Sequence, residues 1–450
     1  MSKPHHIFLI VADSLRKDSV YAQGSPGLPY SEANGTQFTQ ARSAACWTLP
    51  ATSCLFTGMD VHEHGADTHT RQLKENIPTL AEKLKAKGYK TIQVTANQVT
   101  TEVFGLDKGF DEIHKVWQFV VPRFNKIVRW GLSMTKPRVR KLFFSKDVVH
   151  AKLLSDIQAA NCWGQTTHRD AFDRARTLLA EADKTNQPCF VFINLMETHF
   201  PYHIDDIFKF KSEGLLDKFR EGWSLFNVIN MSFLHSDTER IKPKFREIIR
   251  QRQATAWTLI REDLDNFMRE QHEDKNNLVV FCSDHGDNFG ELNWYYHFAN
   301  VNEAGNRVPL FWLENGEKKS GVHSEPISSK FIHQSILKKV DEDQPTTLFE
   351  NNHLNFPILQ SYWYKHHSGT MEKYKYNQFL FSEGNTRYLM RNKVWLTAPI
   401  TEEVYNNEPQ YEPLDGNTNP IEELKMDSEK KKLLETKVAN FIDFSDKMKY

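Results

Sequence analysis

Apolar residues along this chain fall into short continuous runs separated by stretches in which they recur at helical spacing. The first run, IFLIVAD over residues 7–13, is apolar up to its closing aspartate and predicts a buried strand. PTLAEKLKAKGYK (78–90) carries a helical stripe that ends at Gly88, and the run TIQVTAN (91–97) follows it. AFDRARTLLAEAD (171–183) leads into CFVFINLME (189–197) in the same way, and ATAWTLIREDLDNFMREQ (254–271) leads into NLVVFCSD (277–284). Helix-then-strand steps of this kind predict an α/β fold, a mainly parallel sheet flanked by helices. Each run closes on a chemically useful residue: Asp13, Asn97, Glu197 with His199, and Asp284 with His285. In open α/β sheets ligands bind at the carboxyl ends of the strands.

Two segments break the rhythm and read as helical insertions, at about 115–168 and about 204–252. Beyond about Tyr374 the pattern changes to short alternating runs, QFLFSE, TRYLMRN and KVWLTA, then the helical stretch SEKKKLLETKVANFIDF. The expected division is a catalytic α/β domain over 1–370, with a small C-terminal antiparallel sheet plus helix over 371–450. At 450 residues the chain is long enough for a sizeable core.

Composition narrows the function classes. The formal net charge of −1 gives no global support for a nucleic-acid partner. Hydrophobic content of 39% with a mean hydropathy of −0.59 describes a soluble chain. The apolar run near the N-terminus is too short for a membrane span or a signal peptide. Five cysteines, at 46, 54, 162, 189 and 282, are odd in number and lack CxxC spacing, which suits reduced thiols in a cytoplasmic protein. One strongly charged stretch stands apart: between Arg123 and Asp147 eight Lys/Arg face a single Asp, interleaved with Phe124, Trp130, Phe143 and Phe144. Such a stretch is a solvated insertion, or it makes peripheral contact with an anionic membrane or substrate.

Asp13 and the Asp284-His285 pair, each at the end of an apolar run, form a mixed O/N ligand set for a divalent cation. These residues and their surroundings resemble the alkaline phosphatase superfamily in its sulfatase-like branch. VADSLRKD is similar to the first metal-binding strand and WTLPATSCLFTG (47–58) to the nucleophile turn. HEHGA (62–66) matches the following His-Gly, and GYKTIQVTANQ with GLDKGFDE (105–112) the second βα unit. METHFPY (196–202) resembles the His-x-Pro-Tyr loop, SDHGDNFGE (283–291) the second metal strand and NRVPLFW (306–312) the strand after it. YEPLDGNTNPIEELKMDSEKKK is similar to the end of the small C-terminal sheet domain.

The resemblance implies an alkaline-phosphatase-like fold and a metal held by Asp13, Thr48, Asp284 and His285, and the mixed O/N donors favour Mn²⁺ or Zn²⁺ over Ca²⁺ or Mg²⁺. It places Thr48 where sulfatases of the branch carry the Cys or Ser that becomes formylglycine, while Thr52 stands in the place of the motif's arginine. A threonine cannot supply that precursor, and Cys46 and Cys54 fall off the motif. The implied chemistry is therefore direct attack by Thr48 on an anionic phosphate ester, a phosphodiester or a phosphonate monoester, through a phospho-threonine. His199 and His297 are implied as catalytic and substrate-binding residues or ligands of a second metal, with Glu197 as a further candidate ligand, and Asn97 as a phosphate donor. His64 matches the family's His-Gly, behind the ligands, and His62 and His203 are weaker candidates. Arg16, Asp18 and Arg307 read as scaffold ion pairs. Ala12 takes the place of the first of two aspartates that often open the family's first strand. The alternatives are a sulfuric ester hydrolase, a phosphoethanolamine- or phosphoglycerol-type transferase, or a non-catalytic binding protein.

Overall fold

The computed structural model describes residues 3–67, 70–119, 166–200, 202, 243–273, 275–291, 295–297, 301, 303–314, 316, 320–340, 347–349, 378–383, 386–391, 393–399, 412–414, 419–424 and 428–447. The basic stretch at 123–147, Cys162, His203, most of the 204–252 segment and the expected domain boundary near 370 lie outside them.

An eight-stranded sheet forms the centre. In chain order its strands are β1 (His6–Ala12), β2 (Thr36–Phe38), β3 (Lys90–Thr95), β4 (Glu112–Lys115), β5 (Cys189–Leu195), β6 (Leu278–Cys282), β7 (Leu310–Glu314) and β8 (Gly321–His323). They are arranged β8-β2-β7-β6-β1-β5-β3-β4. β6, β1, β5, β3 and β4 run parallel, and β7 runs antiparallel to both β6 and β2. β1 lies between β5 and β6, in register from His6 opposite Cys189 to Ala12 opposite Leu195.

All seven residues of β1 are buried because both of its faces are covered, which is why it reads as a continuous apolar run. Phe8, Ile10 and Ala12 pack against α3 (His168–Asp183) and α4 (Pro243–His272), through Phe172, Ala175, Trp257, Ile260 and Phe267. Ile7, Leu9 and Val11 pack on the other face against α1 (Thr48–Thr57), α2 (Leu80–Ala86) and α5 (Phe331–Val340). Strand periodicity then sets the site. Asp13 continues the parity of Val11, and Asp284 continues that of Val280 and Cys282, so both extend the α1 face of the sheet. Ala12 is on the opposite face, inside the core, so it does not leave a vacant ligand position.

α4 begins at Pro243, so the end of the segment read as a 204–252 insertion belongs to this 30-residue helix. The polar, Arg-rich first turns of α4 hid its start. The C-terminal unit is a four-stranded antiparallel sheet, β9 (Gln378–Glu383), β10 (Thr386–Arg391), β11 (Val394–Pro399) and β12 (Glu412–Pro413). It is covered by α6 (Ser428–Lys447) through Phe379, Phe381, Leu434, Val438 and Phe441. Among the described residues no helix is long and apolar enough to cross a membrane.

Candidate active site

The site lies at the carboxyl edge of β1, β5, β6 and β3. α1 delivers Thr48 to it as its first residue; every position of this helix is buried, so it is fixed on all sides. Pro50 falls in the first turn, where its missing N–H has no intrahelical partner to lose, and Gly58 ends the helix in the left-handed conformation at φ 70°. The helix N-terminus is electropositive and suits an anionic group.

Asp13, Thr48, Asp284 and His285 converge here. Thr48 Oγ1 lies 3.3 Å from His285 Nε2 and 3.4 Å from Asp13 Oδ2. His285 Nε2 is 3.4 Å from Asp284 Oδ2 and 3.8 Å from Asp13 Oδ1. His285 Nδ1 donates to the carbonyl of Gly286 at 3.0 Å, so the neutral ring keeps its Nε2 lone pair toward the carboxylates. Burial holds the pKa of this imidazole below its ordinary value and favours that neutral form.

The carboxylates are fixed on their outer edges. Asp284 Oδ1 accepts from the backbone N–H groups of Ser14 at 3.1 Å and His285 at 2.9 Å. Asp13 Oδ1 accepts from the Ser14 hydroxyl at 2.9 Å, and its Oδ2 accepts from Asn97 Nδ2 at 2.6 Å. Asp284 Oδ2 is buried and has no hydrogen-bond partner. Burial and the neighbouring Asp13 push the Asp284 carboxyl well above the usual carboxylate range. Burial also works against the charge on Asp13, but His199, His285 and Asn97 outweigh it and hold that carboxyl low. Two buried carboxylates, one with an orphaned oxygen, and an imidazole lone pair all lie within 4.8 Å of one another. These residues fit a divalent cation.

His199 and His297 stand beside this group, with ring centroids 5.3 Å apart, and the His297 ring is 4.4 Å from that of His285. His199 Nδ1 donates to the Phe200 carbonyl at 2.6 Å. His297 Nδ1 meets Asp287 Oδ1 at 2.6 Å, and the Tyr202 hydroxyl donates to Asp287 Oδ2 at 2.6 Å. Asp287 and Tyr202 were missed from the sequence. Asp287 was visible three residues after Asp284, but only the fold shows that it meets His297. His285, Asp287 and His297 make a second donor group.

Asn97 combines two jobs: its Oδ1 caps the next turn by accepting from Val99 N at 2.8 Å, while its Nδ2 holds Asp13. Glu197 does not join His199 and His297. It is fully buried and accepts from the backbone N–H of Thr167 at 2.6 Å and of His168 at 2.7 Å, anchoring the start of α3. Alternation at the strand end explains this, since Glu197 follows the α3-facing parity of Ile193 and Leu195. His64 is buried behind α1; its Nδ1 accepts from Ala66 N, and its Nε2 lies 3.3 Å from Cys54 Sγ. Arg16 is the expected scaffold residue, paired with Asp18 and Glu291 at 2.7 Å each. His5, His6 and Asp183 form a third donor group at the opposite end of β1. There His6 Nδ1 accepts from Cys189 N, so its Nε2 carries the proton that faces Asp183 and offers no lone pair to a cation.

Residues 5–341 match the family model described as Sulfatase. The phosphonate monoester hydrolase of Agrobacterium radiobacter superposes with a TM-score of 0.60 at 14% identity, over 98% of this chain and 96% of that one. A protein in the alkaline phosphatase superfamily from Vibrio parahaemolyticus gives 0.54 at 14% identity, over 99% and 89%. A protein solved with its substrate D-glucosamine-2-N,6-O-disulfate gives 0.60 at 13% identity, over 98% and 99%. These likenesses establish an alkaline-phosphatase-like fold. No curated protein sequence matches the chain.

Proposed function

The chain belongs to the sulfatase family, whose members are hydrolases of ester bonds, and from that premise we propose that it cleaves phosphate esters, phosphodiesters or phosphonate monoesters, with Thr48 as nucleophile. The observation that carries this reading is the Thr48 hydroxyl at the N-terminus of α1, 3.3 Å from His285 Nε2 and 3.4 Å from Asp13 Oδ2. Asp13, Asp284, His285 and Thr48 would hold a divalent cation, which when bound would favour ionisation of the hydroxyl and offset negative charge on the substrate. Thr48 Oγ1 gives up its proton to Asp13 Oδ2, 3.4 Å away, and attacks phosphorus in line, so that the Oγ1–P bond forms as the bond to the leaving oxygen breaks. One of His199 and His297, whose rings stand beside His285, would give the departing oxygen its proton. Water then hydrolyses the phospho-threonine and restores the Thr48 hydroxyl. Asn97 sits within the same layer and orients Asp13, with a phosphoryl oxygen as its second partner. The basic stretch at 123–147 is proposed as a contact for an anionic substrate or membrane surface.

Phosphate is favoured over sulfate because Thr48 cannot become formylglycine. Neither nearby cysteine occupies the motif position, and Cys54 lies against Nε2 of His64, behind α1. The test is a panel of aryl phosphate monoesters, phosphodiesters, phosphonates and sulfates with Mn²⁺ or Zn²⁺, with mass spectrometry of the quenched enzyme. Phosphodiesters or phosphonates should react fastest, and the peptide carrying Thr48 should gain the substrate's phosphorus group with its remaining substituent, less the leaving alcohol. Faster cleavage of sulfate esters, or an aldehyde at Cys46 or Cys54, would overturn the reading.

A further inference from the structure

Ser14 follows Asp13 and holds a left-handed backbone at φ 62°, a conformation that non-glycine residues seldom adopt. The strain has a geometric result. In this conformation the backbone N–H of Ser14 reaches Asp284 Oδ1 at 3.1 Å while its hydroxyl reaches Asp13 Oδ1 at 2.9 Å. One residue therefore grips both acidic side chains, which follow strands β1 and β6.

The surroundings maintain that conformation. Gln253, fully buried on α4, donates from Nε2 to the Ser14 carbonyl at 2.8 Å and to the Thr198 carbonyl at 3.1 Å. Its Oε1 accepts from Ser19 Oγ at 2.7 Å and Arg16 N at 3.3 Å. The next backbone amide, Leu15 N–H, is held by Ser283 Oγ at 2.9 Å. The polar atoms around Ser14 are thus committed to keeping it left-handed, as expected where strain serves a site.

We propose that Ser14 is a positioning residue of the cation centre, bridging the two acidic ligands so that Asp284 Oδ2 and the His285 Nε2 lone pair are left to meet the cation. This rests on the assignment of Asp13, Asp284 and His285 as its ligands. Ser14 acts through the ligands, so its loss lowers cation affinity and not the integrity of the fold. Residues that orient metal ligands typically contribute about 10- to 100-fold to affinity.

Two substitutions isolate the hydroxyl. Ser14→Gly keeps the left-handed backbone and the N–H but removes the hydrogen bond to Asp13. Ser14→Asn also tolerates that backbone, and its side-chain amide replaces the lost donor. Mn²⁺ dissociation constants are measured by calorimetry on the full chain, with thermal melts of the EDTA-treated proteins alongside and Asp284→Ala as the site control. The expected result is about 10- to 100-fold weaker Mn²⁺ binding for Ser14→Gly, substantial recovery in Ser14→Asn, and similar melting of the two apo variants. Binding by Ser14→Gly equal to wild type, or no recovery in Ser14→Asn, overturns the proposal while Asp284→Ala still loses the cation. Unchanged binding in Asp284→Ala overturns the ligand assignment itself, and the proposal with it.

Discussion

Buried carboxylates in this protein are handled in two opposite ways. Asp60, just past α1, is fully buried and paired with two lysines, Lys330 immediately before α5 and Lys437 from α6. Glu303 is buried with Arg42 at 2.8 and 3.0 Å and Arg387 at 3.4 Å. Burial opposes both charges, yet the lysines hold the Asp60 carboxyl below its usual range, and the arginines hold Glu303 down to about 2. At the carboxyl edge of the sheet, by contrast, Asp13 and Asp284 form no ion pair with any lysine or arginine among the described residues, and the Asp284 carboxyl is driven upward. Where a buried carboxylate serves the scaffold, the chain supplies the counter-charge; at the carboxyl edge it supplies none from lysine or arginine among the described residues. Isolated buried charges are too costly to persist without a partner, so the contrast itself points to a cation site.

The largest expected effect concerns catalysis alone. Thr48→Ala should lower kcat by roughly 10⁴-fold or more, because removing a nucleophile leaves only binding and electrostatic contributions. Apo melting should change little, since the hydroxyl makes only long contacts of 3.3 and 3.4 Å. Retained turnover in this variant, measured on the best phosphodiester, would break the assignment.

The next prediction sets the two regions against each other. Asp60→Asn leaves two lysines without their carboxylate and should cost about 3–5 kcal/mol in urea unfolding. Asp284→Asn removes a carboxylate with no cationic partner, so the apo protein should unfold at equal or higher urea while its cation binding is lost. If both substitutions destabilise the apo protein equally, the contrast fails.

Much of this arrangement was legible in the sequence. Continuous apolar runs gave β1, β5 and β6 because these strands are buried on both faces, and the residues closing them, Asp13, Asp284 and His285, do converge. Thr48 was reached through the WTLPATSCLFTG motif, and the structure puts its hydroxyl against two of those residues. Ser14 and Gln253 were not legible. A serine carries no mark of a positive φ, and a glutamine inside an amphipathic helix looks like any polar position until the loops it bridges are in place. Glu197 was misplaced because proximity in sequence to His199 suggested a shared site, whereas successive residues at a strand end point to opposite faces.

Acid unfolding tests the arginine-paired group. Glu303 has an ordinary pKa of 4.5 and about 2 in the folded protein, so its contribution is fully present above pH 4.5 and is lost as pH falls toward 2. Glu303→Gln should remove roughly 3 kcal/mol at neutral pH, at 1.36 kcal/mol per pH unit, and flatten the stability curve between pH 4.5 and 2. An acid limb identical to wild type would mean that the two arginines do not hold the charge.

The smallest effect comes from a carboxylate between the two extremes. Glu197 is fully buried like Asp60, but its side-chain counter-charge is His168, whose Nδ1 lies 3.4 Å away and whose Nε2 meets Asp263 at 2.8 Å. Burial works against the charged imidazole, yet Glu197 and Asp263 together outweigh it and raise the His168 pKa above 6.5. A raised folded pKa contributes stability that is complete below the unfolded value and fades as pH climbs through the folded one. Wild type and His168→Gln should therefore differ most in melting temperature at pH 6 and converge as the buffer becomes alkaline. The two backbone N–H bonds to Glu197 persist at every pH, so α3 should stay anchored and the change should be gradual. A melting-temperature difference that stays constant from pH 6 to pH 9 would show that His168 serves Glu197 as a neutral hydrogen-bond partner, and that this carboxylate, unlike Asp60, is held by hydrogen bonds without a counter-charge.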